Sequence, residues 1–158
     1  DIDQINNLAC PASPVFYQEN PIQTSKTSFL GAFHLLCLAK KTKAKILQTS
    51  TSEVYGRNPE IPWSEDMDRV LGSPNVDRWS YSTSKAICEH MLFGVHHKNG
   101  WPMSIVRFFN VYGPRARTSG TYGAVFGVFL AQKIAKKPIT IVGSGKQTRD
   151  FTFVSDII

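Results

Sequence analysis

Two short apolar runs flank a long helical stretch near the start of the chain, and that order admits few folds. Asp3-Gln4-Ile5-Asn6-Asn7-Leu8-Ala9 reads as a short buried strand. Cys10 to Pro21 carries three prolines and cannot continue it. From about Ile22 to Lys43, the residues Ile22, Phe29, Leu30, Phe33, Leu36, Cys37 and Lys40 recur near helical spacing. Ile46-Leu47-Gln48-Thr49-Ser50 is then a strand, short enough to be central and parallel. Strand, helix and strand in this order make a crossover unit, right-handed almost without exception.

The alternation continues. Arg57 to Asp77 is rich in Pro, Gly, Asp and Asn and predicts a long loop, of the kind that is functional or lid-like inside a compact domain. The next helix carries Tyr81 and Lys85 and ends at Asn99-Gly100, where glycine takes the left-handed cap. Met103 to Phe109 is a strand, Thr118 to Gly123 a turn, and Ala124 to Lys137 a helix stopped by Pro138. Ile139-Thr140-Ile141-Val142 reads as a short strand and Gly143 to Lys146 as a turn. Thr148 to Phe153 is extended, and a helix begins near Ser155. Strands and helices in this order predict an α/β fold with a Rossmann-like, doubly wound parallel sheet.

Composition narrows the function classes. The 158 residues are 42% hydrophobic and 19% charged, enough apolar surface for a core and too little charge for disorder. Cys10, Cys37 and Cys88 are odd in number and lack C-x-x-C spacing, which suits buried thiols of a reducing compartment and neither a disulfide framework nor a metal site. His96 and His97 are adjacent and cannot share a helix face, a further argument against a metal. No apolar run approaches the ~18–20 residues of a membrane span, and no basic-then-apolar leader opens the chain, so a cytoplasmic protein is expected. The net charge of +6 raises nucleic acid as a partner. The lysines, however, fall in Lys40-Lys41-Thr42-Lys43-Ala44-Lys45 and Lys136-Lys137, each at an expected helix C-terminus, where cations offset the helix dipole.

The chemistry-bearing stretch is Tyr81-Ser82-Thr83-Ser84-Lys85. On a helix, Tyr81 and Lys85 lie one turn apart on one face. A phenol is a poor base near neutrality, and an ammonium close by favours its phenolate. Alone, such a pair also occurs on ordinary amphipathic helices. Two further segments accompany it: Leu47-Gln48-Thr49-Ser50-Thr51-Ser52-Glu53-Val54-Tyr55-Gly56 upstream, and Arg107-Phe108-Phe109-Asn110-Val111-Tyr112-Gly113-Pro114-Arg115 downstream.

In this order the three segments resemble the extended short-chain dehydrogenase/reductase family acting on nucleotide sugars, over essentially the whole chain. Leu8 to Pro14 and Ser50 to Gly56 look most like its UDP-glucuronate decarboxylase branch; the Tyr81 helix and Arg107 to Arg115 look equally like its UDP-sugar 4-epimerases. The resemblance implies NAD as cofactor and a UDP-sugar as substrate, oxidised at C4 to a 4-keto intermediate. Tyr81 would take the O4 proton. Lys85 would hold Tyr81 ionised and bind the nicotinamide ribose, and Thr51 would hydrogen-bond the same sugar hydroxyl. A strand-end hydroxyl such as Thr51 can also simply cap backbone groups.

Ser52 and Glu53 would then steer the ketosugar. Ser52 stands where 4,6-dehydratases carry an Asp, and in decarboxylases this Ser and the following Glu contact the sugar carboxylate region. Glu53 can equally be a buried structural acid. Leu8, Ala9 and Thr27 match positions lining the cofactor, or are core. Asn110 and Arg149 would contact the diphosphate, with Arg115 near or in an exposed turn, and Ile139 to Val142 would face the uracil. Ser82-Thr83-Ser84 departs from the acidic and glycine residues usual in decarboxylases, as in many epimerases. A scaffold that has lost catalysis is the non-enzymatic alternative.

The family's glycine-rich dinucleotide fingerprint occurs nowhere in the chain. The resemblance puts Gln4 to Leu8 at the fourth strand, so the chain is expected to be an internal fragment. Residues 1–117 would be the later part of an NAD-binding domain, and 118–158 would contribute to the sugar-nucleotide lobe. The family commonly dimerises through a four-helix bundle including the Tyr-bearing helix, so a homodimer is expected of the intact parent. Met91, Leu92 and Val95 would supply that face, or belong to the core.

Overall fold

The computed structural model describes residues 1–116 and 125–158. They form two compact units, Asp1–Phe108 and Phe109–Ile158. The turn expected over Thr118 to Gly123, and the break expected after residue 117, lie outside the described residues.

In the first unit, strands β1 (Gln4–Asn7), β2 (Lys45–Thr51) and β3 (Met103–Phe108) form a parallel sheet in the order β1-β2-β3, the Rossmann-like arrangement. Helix α2 (Pro21–Thr42) connects the first pair and α3 (Ser80–Asn99) the second. The register aligns Ile5 with Ile46 and Ile46 with Met103. That apolar row, with Ile105, packs under Leu35 and Ala39 of α2 and Leu92 of α3, and this is the core. Leu92 is therefore a core residue, and Met91 and Val95 are half-buried.

The helix ends obey their local chemistry. Asn20 caps α2 by accepting the Gln23 N–H at 3.0 Å, and Pro21 occupies the first turn, where its missing N–H costs nothing. Lys40 and Lys41 lie in the last turn of α2. Gly100 ends α3 at φ 62°, as expected from the sequence. The buried face of α2 departs from its bulky periodicity: Ile22, Phe29, Leu30 and Phe33 are exposed, while Thr24, Ser28, Ala32 and Ala39 are buried. Small side chains let the helices approach closely, and the Cys88 thiol of α3 reaches the Ser28 carbonyl of α2 at 3.3 Å.

Two segments differ from expectation. The proline-rich stretch contains a short helix, α1 (Pro14–Glu19), entered through Ser13 with Pro14 at its first position. The Arg57 to Asp77 loop is pinned. Gly56, at φ 68°, bridges Val70, and a Cβ on Gly56 would strike the Val70 carbonyl. Arg69 donates to the Val54 carbonyl at 3.0 Å. Arg107 of β3 forks onto the Glu89 carboxylate and also donates to the Tyr55 hydroxyl and the Glu65 carbonyl. The Glu89 and Tyr55 hydrogen bonds raise the guanidinium pKa, with burial opposing.

The second unit holds β4 (Val111–Tyr112) and β5 (Thr152–Phe153), paired in parallel, and α4 (Val125–Ile134). Rings of Tyr112, Phe126, Phe151 and Phe153 form its aromatic centre, with Tyr112 and Phe126 stacked at 4.4 Å. Lys136 and Lys137 follow α4, their N–H groups bonding back to Lys133 and Gln132. Ile139 to Val142 forms no strand: Ile139, Ile141 and Val142 are exposed, and the Thr140 N–H is taken by the Gln132 side chain. Near Ser155 the chain makes only a 3-10 turn, Val154–Asp156.

Truncating Leu92 to Ala in the intact protein should cost about 2–5 kcal/mol, because the three-way contact with Ala39 and Ile46 is too tight to collapse fully. Equilibrium urea unfolding will read this as a lower midpoint at unchanged slope.

Candidate active site

The site gathers at the carboxyl end of β2. Thr51 is the last residue of that strand, in extended conformation, and its Oγ1 accepts the Glu53 N–H at 3.2 Å. It thereby caps the 3-10 turn Ser52–Tyr55. The same hydroxyl acts on the Tyr81 phenol, pulling its pKa down. The capping and the catalytic readings of Thr51 are thus compatible.

Helix α3 begins at Ser80, so Tyr81 and Lys85 sit in its first turns, both buried. The Lys85 ammonium donates to the Thr49 carbonyl at 2.9 Å and lies 6.0 Å from the Tyr81 ring centre. Ser82, fully buried, donates to the Glu53 carbonyl at 2.7 Å and fastens the helix to the turn.

Burial dominates the electrostatics of Tyr81 and Lys85. Burial pushes the Tyr81 phenol above its ordinary range; Cys10, Glu53 and Tyr17 add to the rise, and the Thr51 hydroxyl opposes it. Burial pushes Lys85 down, opposed by Cys10 and Cys88. The expected phenolate-favouring effect of Lys85 is outweighed here, because desolvation disfavours the charged form of each group. Cys88 is itself pushed up to about 11 by burial.

Three residues of the site escaped the reading of the sequence. Tyr17 of α1 is 1% exposed and stacks on Tyr81, centroids 5.0 Å apart and planes 7° from parallel. Arg78 donates to the Tyr17 hydroxyl and pairs with the Glu53 carboxylate at 2.5 Å. Cys10 holds the Ser28 hydroxyl at 2.7 Å. The available signal was Ser13-Pro14, a helix-start pair that announces α1 and hence Tyr17. Nothing local announced Arg78, whose partners are distant in sequence.

The remaining expected residues fall as follows. Ser52 and Glu53 are half-buried in the 3-10 turn, with Glu53 engaged by Arg78. Leu8 and Ala9 leave the strand at its carboxyl end and are exposed, Leu8 by 66%, so they are not core. Thr27 is half-buried and accepts from the Gln23 side chain. In the second unit, the Asn110 amide donates to the Asp150 carbonyl at 2.8 Å, bringing Asn110 beside the Arg149–Asp150 step at the head of β4 and β5. Arg149 is exposed, and Arg115 is exposed in a left-handed turn at φ 67°.

The pieces fit a nicotinamide cofactor by the chemistry of their donors. A buried ammonium and phenol stand at a parallel-sheet edge, where such folds bind dinucleotides. Next to Thr51, the buried Ser50 hydroxyl has no partner among the described residues.

Comparison with known proteins agrees with this arrangement. Residues 1–158 match the NAD dependent epimerase/dehydratase family. The UDP-glucuronic acid decarboxylase 1 of Arabidopsis thaliana is 44% identical over 158 residues, covering 100% of this chain and 36% of that protein. Among solved structures, the UDP-N-acetylglucosamine 4-epimerase of Methanobrevibacter ruminantium M1, in complex with UDP-N-acetylmuramic acid, superposes with a TM-score of 0.89 at 30% identity, covering 98% of this chain and 48% of that one. The UDP-glucuronic acid 4-epimerase of Bacillus cereus, in complex with UDP-glucuronic acid and NAD, gives 0.82 at 32% identity, covering 99% and 47%. The chain spans less than half the length of each of these relatives. With its whole length matched and its parallel sheet carrying Thr51, Tyr81 and Lys85 at one edge, the chain belongs to the NAD dependent epimerase/dehydratase family.

Proposed function

We propose that the intact protein is an NAD-dependent nucleotide-sugar enzyme that oxidises C4 of a UDP-sugar, with UDP-glucuronate decarboxylation as its reaction. The observation that carries this reading is the joint burial of Thr51, Tyr81 and Lys85 at the carboxyl end of β2, with the Lys85 ammonium on the Thr49 carbonyl and 6.0 Å from the Tyr81 ring centre. Tyr81 accepts the O4 proton, Thr51 orients that hydroxyl, and Lys85 supplies the positive charge beside them. Bound at this edge, NAD supplies the acceptor for the C4 hydride. Leu8, Ala9 and Thr27 line its pocket.

Oxidation at C4 makes the C5 carboxylate β to a ketone, which lowers the barrier to loss of carbon dioxide. UDP-glucuronate thus gives a UDP-pentose and carbon dioxide, a proton replaces the carboxylate at C5, and NAD ends in its starting oxidation state. Ser52 and Glu53 flank the sugar. The Arg78 fork is already taken up by Glu53 and Tyr17, and a carboxylated sugar is supported by the 44% identical decarboxylase relative. Residues 1–117 serve the cofactor. Residues 118–158 contribute to the sugar-nucleotide lobe, and Asn110, Arg115 and Arg149 meet the diphosphate.

A second reading, a UDP-sugar 4-epimerase, is favoured by Ser82-Thr83-Ser84 and by the solved epimerases above. In that case the ketosugar turns over before hydride returns. The working form in either reading is a cytoplasmic homodimer. Support comes from the free cysteines and from the exposed apolar residues Phe29, Leu30 and Phe33 on α2 and Ile87 and Phe93 on α3. No helix among the described residues is long and apolar enough to cross a membrane.

The intact protein incubated with UDP-glucuronate and NAD should release a UDP-pentose and carbon dioxide without net reduction of NAD. Equilibration of UDP-glucose or UDP-N-acetylglucosamine with its C4 epimer, without UDP-pentose, would replace the first reading with the second. Tyr81→Phe should lower kcat by about 10²–10⁴-fold, whereas a scaffold would be indifferent. Thr51→Val removes the hydroxyl that opposes the rise in the Tyr81 pKa. Its pH–rate profile should therefore move its acid limb to higher pH, with at least about a tenfold loss of kcat near neutrality.

A further inference from the structure

Asn7 and Gln48 are paired residues of the β1–β2 ladder, 4% and 1% exposed. Two side-chain amides in the middle of a parallel sheet are costly unless hydrogen-bonded, and an apolar pair would fill the space at less risk. Here each amide is engaged. Asn7 Nδ2 donates to Gln48 Oε1 at 2.8 Å, Gln48 Nε2 donates to the Thr49 carbonyl at 2.9 Å, and Thr49 Oγ1 donates to the Asn7 carbonyl at 2.9 Å. The loop closes on one atom. The Thr49 oxygen that receives Gln48 is also the acceptor of the Lys85 ammonium, at 2.9 Å.

A carbonyl oxygen has two lone pairs, and these two donors take both. An ammonium has three equivalent donors on a flexible stem and no directional preference of its own. With one lone pair occupied by Gln48, Lys85 has a single direction of approach. Its influence on the phenol depends on that placement, since Coulomb interaction scales inversely with distance.

We infer that Asn7 and Gln48 are positioning residues for Lys85, orienting the Thr49 carbonyl on which its ammonium rests. The inference rests on the reading of Tyr81 and Lys85 as catalytic. The titratable groups facing Lys85 are Tyr81 and Cys88 on α3 and Cys10 after β1. Those facing Tyr81 are Cys10, Glu53 of the 3-10 turn and Tyr17 of α1. Asn7 and Gln48 are neutral at every working pH. A change in pH profile on replacing them therefore reports the position of Lys85 and not the loss of a titrating group.

The test uses the intact protein turning over UDP-sugar. The double variant Asn7→Leu/Gln48→Leu replaces both amides by apolar side chains, and its urea midpoint should stay near that of the parent. Its acid limb of kcat should nevertheless rise by about half a pH unit or more, a loss of about threefold in kcat at neutral pH, with KM for the nucleotide sugar unchanged. Gln48→Met, which retains Asn7 but removes both the donor to Thr49 and the acceptor of the Asn7 amide, should show the same displacement and serves if the double variant unfolds. An unmoved acid limb in a folded variant overturns the inference. Tyr81→Phe is run alongside: if it keeps full turnover, the catalytic reading itself fails. If it is inactive while both Gln48 variants keep the parental profile, only the positioning role falls.

Discussion

Helix α3 is fastened to the end of β2 by polar contacts, and the site exists because of that docking. Lys85 donates to the Thr49 carbonyl, Ser82 to the Glu53 carbonyl, and Cys88 to the Ser28 carbonyl on α2. Hydrocarbon packing is tolerant of small slides along a helix axis, whereas hydrogen bonds to fixed carbonyls fix rotation and register together. The apolar contact of Ala39, Ile46 and Leu92 secures the opposite end of the same helix pair. The helix thus has a greasy end that supplies stability and a polar end that supplies position.

Burial in that polar end has a cost that shapes the chemistry. Tyr81 and Lys85 are both nearly inaccessible, and desolvation moves their pKa values in opposite directions, the phenol up and the amine down. Thr51 partly offsets the rise of the phenol, and Tyr17 shields its face. A phenol whose proton affinity is set by burial is sensitive to anything that enters and excludes or supplies charge. Glu53 and Arg78 neutralise each other at the rim, keeping one acid and one guanidinium beside the phenol without a net charge.

The second unit applies the same economy on a smaller scale. Two parallel two-residue strands are held by an aromatic cluster, and the Asn110 side chain ties the chain entering β4 to the carbonyl before Phe151. Asn110 itself lies at φ 32°, a conformation asparagine tolerates better than most residues. That turn places the amide, rather than a bulky side chain, at the head of the strands.

Much of this was legible in the chain. The spacing of Ile5, Ile46 and Met103 to Ile105 specified parallel strands, Gly100 ended its helix, and Tyr81 and Lys85 stood one turn apart because a helix has only one period. What local pattern could not supply was contact between distant segments. The bulky residues of α2 set its helical rhythm, yet small residues took the buried face, since close approach to α3 left room for little else. Ile139 to Val142 had a strand's composition and no neighbouring strand to pair with among the described residues, so it remained irregular. Tyr17 over Tyr81, Arg78 on Glu53, and the amide chain from Asn7 through Gln48 to Lys85 join residues 25 to 64 positions apart, and only folding brings them within hydrogen-bonding or stacking range. The sequence by itself determined which residues could do acid–base chemistry and on which elements they ride. Tertiary structure decided how buried they are and what holds them, because desolvation and directional hydrogen bonds depend on every neighbour in space and not on the neighbours in sequence.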